Sequence, residues 1–165
     1  MATLQIDEIV DAIVEGDDMD QKIKRTERAF SIYPPLKDIL AMASDPALKM
    51  VNICDGFPEH YNPDNAIPAG IADTNVRTEF RRICNFLPGR SLGVLSPKKR
   101  VDHWRQMISS LHWKEAEIIT MVKDQTLLNK YPDFWVILPA VGIDVLINTK
   151  ETTETKKTSK KEKVK

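Results

Sequence analysis

The chain has 165 residues, and a hydrophobic share of 42% excludes a protein that is disordered throughout. Its 24 basic and 24 acidic side chains cancel, so the total charge excludes neither nucleic acid nor protein as a partner. The longest apolar run, FWVILPAVGIDVLI at 134–147, contains Pro139 and Asp144 and is too short to span a bilayer, so no membrane partner is expected.

Three amphipathic helices are predicted in residues 1–50. The first rests on apolar residues at helical spacing: Ile6, Ile9, Val10, Ile13 and Val14. Gly16 is its predicted stop, and the acids at 17–20 offer an N-cap for a second, more charged helix. The stretch YPPLKDILAMAS predicts a turn and then a third helix with proline in its first turn, and SDPALKMV predicts a short helical restart.

A long loop is predicted at 52–70, because NICDGFPEHYNPDNAIPAG contains three prolines, two glycines and no helical or strand period. Internal loops of this length are usually functional or mobile. A second interpretation stays open, in which Phe57 and Tyr61 hold the loop against the core.

Helices resume after the loop, and the first is predicted to begin at Asp73 or Thr74. The apolar residues of its inner face are Val76, Phe80, Ile83, Cys84 and Leu87. Ser96 and Pro97 form an N-cap and first-turn pair for the next helix, and WKEAEIITMVKD predicts another. The last stretch, LLNKYPDFWVILPAVGIDVL, fits a short helix followed by an apolar segment under the bundle; a strand over 134–138 is the less favoured alternative.

The sequence therefore predicts an all-α protein, a single compact bundle of about six to eight helices. The helical domain is expected to span 1–149, with 52–70 as its long internal loop. Residues 150–165, KETTETKKTSKKEKVK, have no periodicity and are predicted to form a disordered Lys-rich tail.

The sequence offers no argument for catalysis. It contains no glycine-rich phosphate loop, and Cys54 and Cys84 form no CxxC motif or metal spacing. His103 and His112 lie nine residues apart, which is no helical ligand spacing, and both are interpreted as surface or boundary residues. His112 lies near Glu115 and Glu117, but a catalytic pair would need a burial that the sequence does not signal. We expect no enzymatic activity, cofactor, metal or small-molecule substrate.

The charges are distributed unevenly along the chain. Residues 1–75 hold six basic and fourteen acidic residues, residues 76–149 hold eleven and seven, and the tail holds seven and three. Such asymmetry indicates either a polyanionic partner or attraction between the halves of the chain. The tail is expected either to hold a phosphate backbone without sequence preference or to act as a solubilising end.

Two basic clusters in the second half break local helix rules. Arg77 and Arg81 lie four residues apart, opposite the apolar face, a like-charge spacing that costs about 0.2–0.5 kcal/mol. Lys98 and Lys99 lie in the first turn of a predicted helix, where each cation opposes the helix dipole by about 0.3–1 kcal/mol. Such misfits are concentrated at functional sites, although exposed basic residues that only keep the protein soluble remain the alternative. The candidate nucleic-acid contacts are Arg77, Arg81, Lys98, Lys99, Arg100 and Arg105.

Several stretches carry a resemblance to a known family. They are IDEIVDAI at 6–13, LKDILAMASDP at 36–46, EFRRICNFL at 79–87 and SPKKRVDHWRQMISSLHWKEAEIITMVKD at 96–124. Their order resembles the N-terminal all-helical DNA-binding domain of T-even-type bacteriophage DNA ligases, from about Ile6 to Asp144. YNPDNAIPAGIADTNVRTEFRRI followed by LSPKKR also resembles small proteins of T-even-like phages of marine bacteria, a likeness that brings no known function.

In those ligases the domain grips duplex DNA around the nick through backbone and minor-groove contacts and performs no chemistry. The resemblance therefore implies phosphate contacts on the helices of the second half, and a phage protein located in the host cytoplasm or in the virion. The ligase motif Lys-x-Asp-Gly is missing, because ICDG at 53–56 has the Asp-Gly pair without the lysine. The chain is therefore not expected to be a ligase.

Two functional hypotheses remain. The first is a non-catalytic phage accessory protein that contacts duplex nucleic acid through its phosphate backbone, which the basic second half favours. The alternative is a protein-binding or virion-structural component, with a phage or host protein as partner, that uses the acidic N-terminal half and the 52–70 loop. The net negative charge of residues 1–149 favours the alternative.

Overall fold

The computed structural model is all-helical, which confirms the predicted fold class. It describes residues 4–50, 53, 55–58, 61, 72, 74–88 and 96–147, and within these it holds eight α-helices, one 3₁₀ turn and no strand. The helices are α1 (Ile6–Val14), α2 (Met19–Ile32), α3 (Pro35–Ser44), α4 (Val76–Cys84), α5 (Pro97–Ser110), α6 (Trp113–Asp124), α7 (Leu127–Lys130) and α8 (Phe134–Ala140). The predicted tail at 150–165 and most of the predicted loop at 52–70 lie outside the described residues.

A tight turn joins α1 to α2. Asp18 is the N-cap of α2, and its Oδ1 accepts a hydrogen bond from the backbone N–H of Gln21 at 2.8 Å, which confirms the cap predicted among the acids at 17–20. Gly16 is buried in the turn, where an added Cβ would lie 2.9 Å from Cγ of Lys22. The glycine therefore permits the close approach of the two helices as well as ending α1.

The helix α6 lies at the centre of the bundle and packs against α1 and α3. It is buried on most of its sides, through Glu115, Ala116, Ile118, Ile119, Thr120, Val122 and Lys123. One hydrophobic cluster includes buried residues from all eight helices. Each fully buried leucine or isoleucine in this cluster stabilises the fold by about 1.5–3 kcal/mol. Because the cluster includes residues from both halves of the chain, the acidic and basic halves share one core.

Two predicted boundaries were wrong. The helix predicted to begin at Asp73 or Thr74 begins at Val76, because Asn75 is the N-cap and its Oδ1 accepts from the backbone N–H of Thr78 at 2.9 Å. The restart predicted over SDPALKMV is only a 3₁₀ turn at Pro46–Leu48, which Asp45 caps.

The closing apolar stretch is helical, so the alternative of a strand over 134–138 was wrong. Phe134, Ile137 and Leu138 are buried at helical spacing, whereas Trp135 and Val136 between them are exposed. This pattern has a helical rather than a two-residue period. Apolar composition alone does not distinguish a helix from a strand here, whereas the burial of residues at helical spacing does.

The described part of the predicted loop contacts the bundle. The backbone N–H of Gly56 donates to Oδ2 of Asp124 at the end of α6, at 2.8 Å. The rings of Phe57 and Tyr61 are stacked with their centroids 4.8 Å apart, and Tyr61 packs against the core. These contacts support the interpretation in which the two aromatic residues hold this part of the loop.

Candidate nucleic-acid interface

Two arginines project from the outer face of α4. Val76 and Ile83 are fully buried on its inner face, whereas Arg77 and Arg81, one turn apart, are exposed. The guanidinium carbon of Arg77 lies 5.7 Å from the centroid of the buried Tyr33 ring, a cation–π contact that orients the guanidinium. Within the part of the chain that the structure describes, Arg81 forms no ion pair.

The first turn of α5 is basic, as the sequence predicts. Ser96 is the N-cap, accepting from the backbone N–H of Lys99 at 3.5 Å, and Pro97 occupies the first turn. The turn holds no acidic residue, and Lys98 and Lys99 are exposed. Neither lysine forms an ion pair with any described residue, so both ammonium groups face solvent at a helix N-terminus that already favours anions.

Arg100 is not available to a phosphate, which corrects its place among the predicted contacts. Only 1% of the residue is exposed, and its Nη2 donates to the backbone carbonyl of Phe86. Its guanidinium also lies over the Phe86 ring, and Trp104, one turn further along α5, meets the same ring edge-on at 5.1 Å. Arg100 therefore fastens α5 to the chain that leaves α4.

This attachment holds the start of α5 against the residues that follow α4. Arg81 lies in the last turn of α4, and Lys98 and Lys99 lie in the first turn of α5, on either side of the link to Phe86. Arg77 lies one turn further back along α4, and Arg105 two turns further along α5. Five of the six predicted residues are therefore exposed on α4 and α5, and Arg100 is buried.

Two basic residues of these helices, Arg82 and Arg105, have acidic partners. Arg82 pairs with Glu79, Nη1 to Oε2 3.7 Å, and Arg105 pairs with Asp102, Nη2 to Oδ1 3.4 Å. Both pairs are partly or largely exposed, so each is worth about 0–1 kcal/mol and is easily exchanged for another anion. Arg105 remains available to a phosphate at little cost.

A shallow depression of about 360 Å³ lies beside Arg105. Its other lining residues are Gln106, Ser109 and Ser110, which carry an amide and two hydroxyls. Such groups, with arginine, are the usual partners of phosphate and sugar oxygens in protein–DNA contacts. The outer face of α5 is thus polar from its first turn to its last.

A second polar cluster, buried rather than exposed, was missed at the sequence level. Glu115 is fully buried on α6, and its Oε2 accepts from the backbone N–H groups of Ile6 and Val76, each at 3.4 Å. His112 is 5% exposed and Asp7 is 6% exposed, so the interpretation of His112 as a surface or boundary residue was wrong. His112 and Glu115 are therefore both buried, which the sequence did not signal.

Burial shifts the titration of this cluster. It raises the pKa of Glu115 to about 7, opposed by the two backbone N–H groups and reinforced by the negative charge of Asp7. Burial also raises the pKa of Asp7, opposed by a backbone hydrogen bond and by the nearby His112. The pKa of Tyr33 is raised by burial and by the nearby Glu115.

One sequence signal for this cluster exists in α1. At 100° per residue, Asp7 lies beside Val10 and Val14, at the edge of the apolar stripe rather than opposite it. No comparable signal marks Glu115, because α6 is buried on most sides and has no polar face to contrast with. Its position depends on the helices that surround it.

The described residues hold no group of three or more histidine, cysteine or acidic side chains that could bind a metal ion. None of the helices among them is long and apolar enough to cross a membrane. Comparison with protein-family models, curated proteins and solved structures gives no match to this chain. The resemblance to the phage ligase domain therefore stays a prediction.

Proposed function

We propose that this protein is a non-catalytic phage accessory protein that binds duplex nucleic acid through its phosphate backbone. The contacts come from the outer faces of α4 and α5: Arg77, Arg81, Lys98, Lys99 and Arg105. The observation that carries the proposal is the first turn of α5, where Lys98 and Lys99 are exposed and form no ion pair with any described residue.

The arrangement favours backbone contact over base readout. Lysine ammonium groups and a helix N-terminus recognise phosphate as charge, and the exposed hydroxyls and amide beyond them suit the sugar–phosphate chain. The helix is fixed rather than adaptable, because Arg100 and Trp104 hold its inner face on Phe86. A rigid basic face of this kind binds with strong salt dependence and little sequence preference.

The test is a fluorescence-anisotropy titration of a labelled DNA duplex over a range of salt concentrations. We expect the double variant Lys98→Gln and Lys99→Gln to bind more weakly, and the slope of log K against log salt to fall by about 1.8, because each lost phosphate contact removes about 0.9. The matched control is Lys24→Gln and Lys37→Gln, which removes the same charge from exposed lysines on α2 and α3. Equal losses in both double variants, or no binding by wild type at low salt, would refute the proposal.

A second candidate function, protein binding by the acidic half, is favoured by a groove between α1 and α2. The groove has a volume of about 370 Å³ and a floor that includes Ile9, Ile13 and Ala29. Leu4 and Ile32 at its rim are 51% and 48% exposed, so the apolar surface of the groove continues onto its rim. Under this candidate a phage or host protein buries them, as a virion component or an accessory factor.

The two candidates are separated by Ile32→Asp. If the groove is the binding surface, this variant loses a partner that wild type captures from infected cells, and its duplex affinity is unchanged. If α4 and α5 are the binding surface, the Lys98 and Lys99 variant loses duplex binding and captures the same proteins as wild type.

A further inference from the structure

A single carboxyl group joins the first turns of three helices. Glu115 lies in the first turn of α6, and its Oε2 accepts from Ile6 and Val76, the first residues of α1 and α4. The two N···O distances of 3.4 Å are long, so neither bond is strong. The residue is nevertheless fully buried, and it forms no ion pair with any described residue, so only these two long hydrogen bonds favour its charged form.

The surroundings of Glu115 are acidic or uncharged rather than basic. Asp7 and Glu8 face it from α1, and the Tyr33 hydroxyl faces it from the end of α2. Asp7 in turn faces His112 and Lys114 at the start of α6. Arg77 of α4 lies over the Tyr33 ring and forms no ion pair with Glu115.

Several polar atoms of this cluster find no hydrogen-bond partner in the described part of the chain. They are Asp7 Oδ1, Tyr33 Oη, His112 Nδ1 and Glu115 Oε1. Two of them are carboxyl oxygens, which can accept but not donate while both groups are ionised. Adding one proton to either carboxyl turns an acceptor into a donor and removes one of two like charges in a buried site.

We propose that Glu115 is a positioning residue for α4 that works as a protonation-dependent clasp. With its proton, it packs the first turns of α1 and α4 against α6; without it, a charge is left in the core and the site opens to water. The consequence for nucleic-acid binding rests on the proposed function, because Arg77 directly follows Val76. The clasp itself does not depend on that function.

The clasp acts on one part of the candidate interface and not on the other. Arg77 lies one residue from Val76, so loosening the first turn of α4 displaces it from the Tyr33 ring. The helix turn that carries Lys98 and Lys99 is held through Arg100 and Phe86, and Glu115 takes its hydrogen bonds from Ile6 and Val76 instead. The contribution of Arg77 is therefore expected to fall above neutral pH, while that of the two lysines stays constant.

The sign of the pH effect follows from the raised pKa. In the unfolded chain Glu115 ionises with a pKa of 4.5, and in the folded protein with a pKa of about 7, so between these values the folded state binds more protons. Its stabilising contribution is fully present below pH 4.5 and is lost as the pH rises through 7. From about pH 5 to about pH 8 the unfolding equilibrium constant rises by about 70-fold from this group, or about 2.5 kcal/mol at 1.36 kcal/mol per tenfold.

The test is urea unfolding of the full chain from about pH 5 to about pH 8. We expect Glu115→Gln, which keeps the shape and can still accept both hydrogen bonds, to remove about 70-fold of the wild-type pH dependence and to be the more stable protein at pH 8. The matched control is Glu117→Gln, the half-buried carboxyl on the same helix that pairs with Lys130, and it should keep the wild-type slope. An unchanged slope in Glu115→Gln would overturn the clasp.

Two further measurements keep the proposal falsifiable if Glu115→Gln folds poorly. Asp7→Asn removes the neighbouring negative charge, so the wild-type slope should become shallower. Hydrogen exchange of the Ile6 and Val76 amides, corrected for its intrinsic pH dependence, should accelerate above neutral pH in wild type and not in Glu115→Gln. Constant corrected exchange with an unaltered Asp7→Asn slope would refute the clasp, whereas absence of duplex binding would refute only the proposed function.

Discussion

Three consecutive basic residues on α5 face different surroundings, because successive residues of an α-helix point about 100° apart. Lys98 and Lys99 face solvent, and Arg100 faces the core with 1% of its surface exposed. The long arginine side chain reaches the Phe86 carbonyl, which would otherwise lie buried without this donor. Charge alone therefore does not define a contact with nucleic acid.

At the scale of the single residue, we expect Arg100→Ala to be strongly destabilising. The change leaves a cavity beside Phe86 and removes the donor to its carbonyl, so we expect a loss of about 3 kcal/mol in the free energy of unfolding. Urea denaturation measures it, with Arg105→Ala as the control, whose exposed pair with Asp102 is worth less than about 1 kcal/mol. Similar losses in both variants would contradict the structural role of Arg100.

Periodicity predicted most of the helices, and residue type predicted the N-cap of α2 and the Ser96–Pro97 start of α5. These features depend on neighbours in the sequence, which a single chain displays. The inward direction of Arg100 and the burial of Glu115 and His112 depend instead on which helices pack together. Tertiary contacts decide these features. The sequence pattern therefore included Arg100 among the candidate nucleic-acid contacts and did not predict the burial of Glu115.

At the scale of the element, the first turn of α5 holds two cations that oppose the helix dipole, and we propose that they bind phosphate. We expect Lys98→Glu to raise the free energy of unfolding by about 0.5–1 kcal/mol, because an acid there complements the helix dipole, and to weaken duplex binding. Thermal unfolding and anisotropy measure the two effects. Gln106→Glu, an exposed change in the middle of the same helix, should leave stability nearly unchanged. Stabilisation without loss of affinity would indicate that Lys98 only aids solubility.

At the scale of the whole molecule, we expect the basic tail and the outer faces of α4 and α5 to make separable contributions to the proposed duplex binding. A chain ending at Thr149 loses seven lysines and three glutamates but keeps the bond from the Leu146 N–H to the Ser44 carbonyl, at 2.8 Å. We expect its urea midpoint to match that of the full chain, and its duplex affinity at low salt to be reduced but measurable. Complete loss of binding would place the whole interaction in the tail and remove α4 and α5 from the proposed function.

The central position of α6 has a consequence for the order of assembly during synthesis. Ile6 bonds to a residue 109 positions later, so α1 emerges from the ribosome long before the helix that covers it. Until then the apolar faces of α1, α2 and α3 have only one another to pack against, and long-range contacts of this kind form slowly. The acidic half therefore completes its fold only after the basic half has been synthesised. We expect a nascent chain stopped before Trp113 to remain sensitive to proteases.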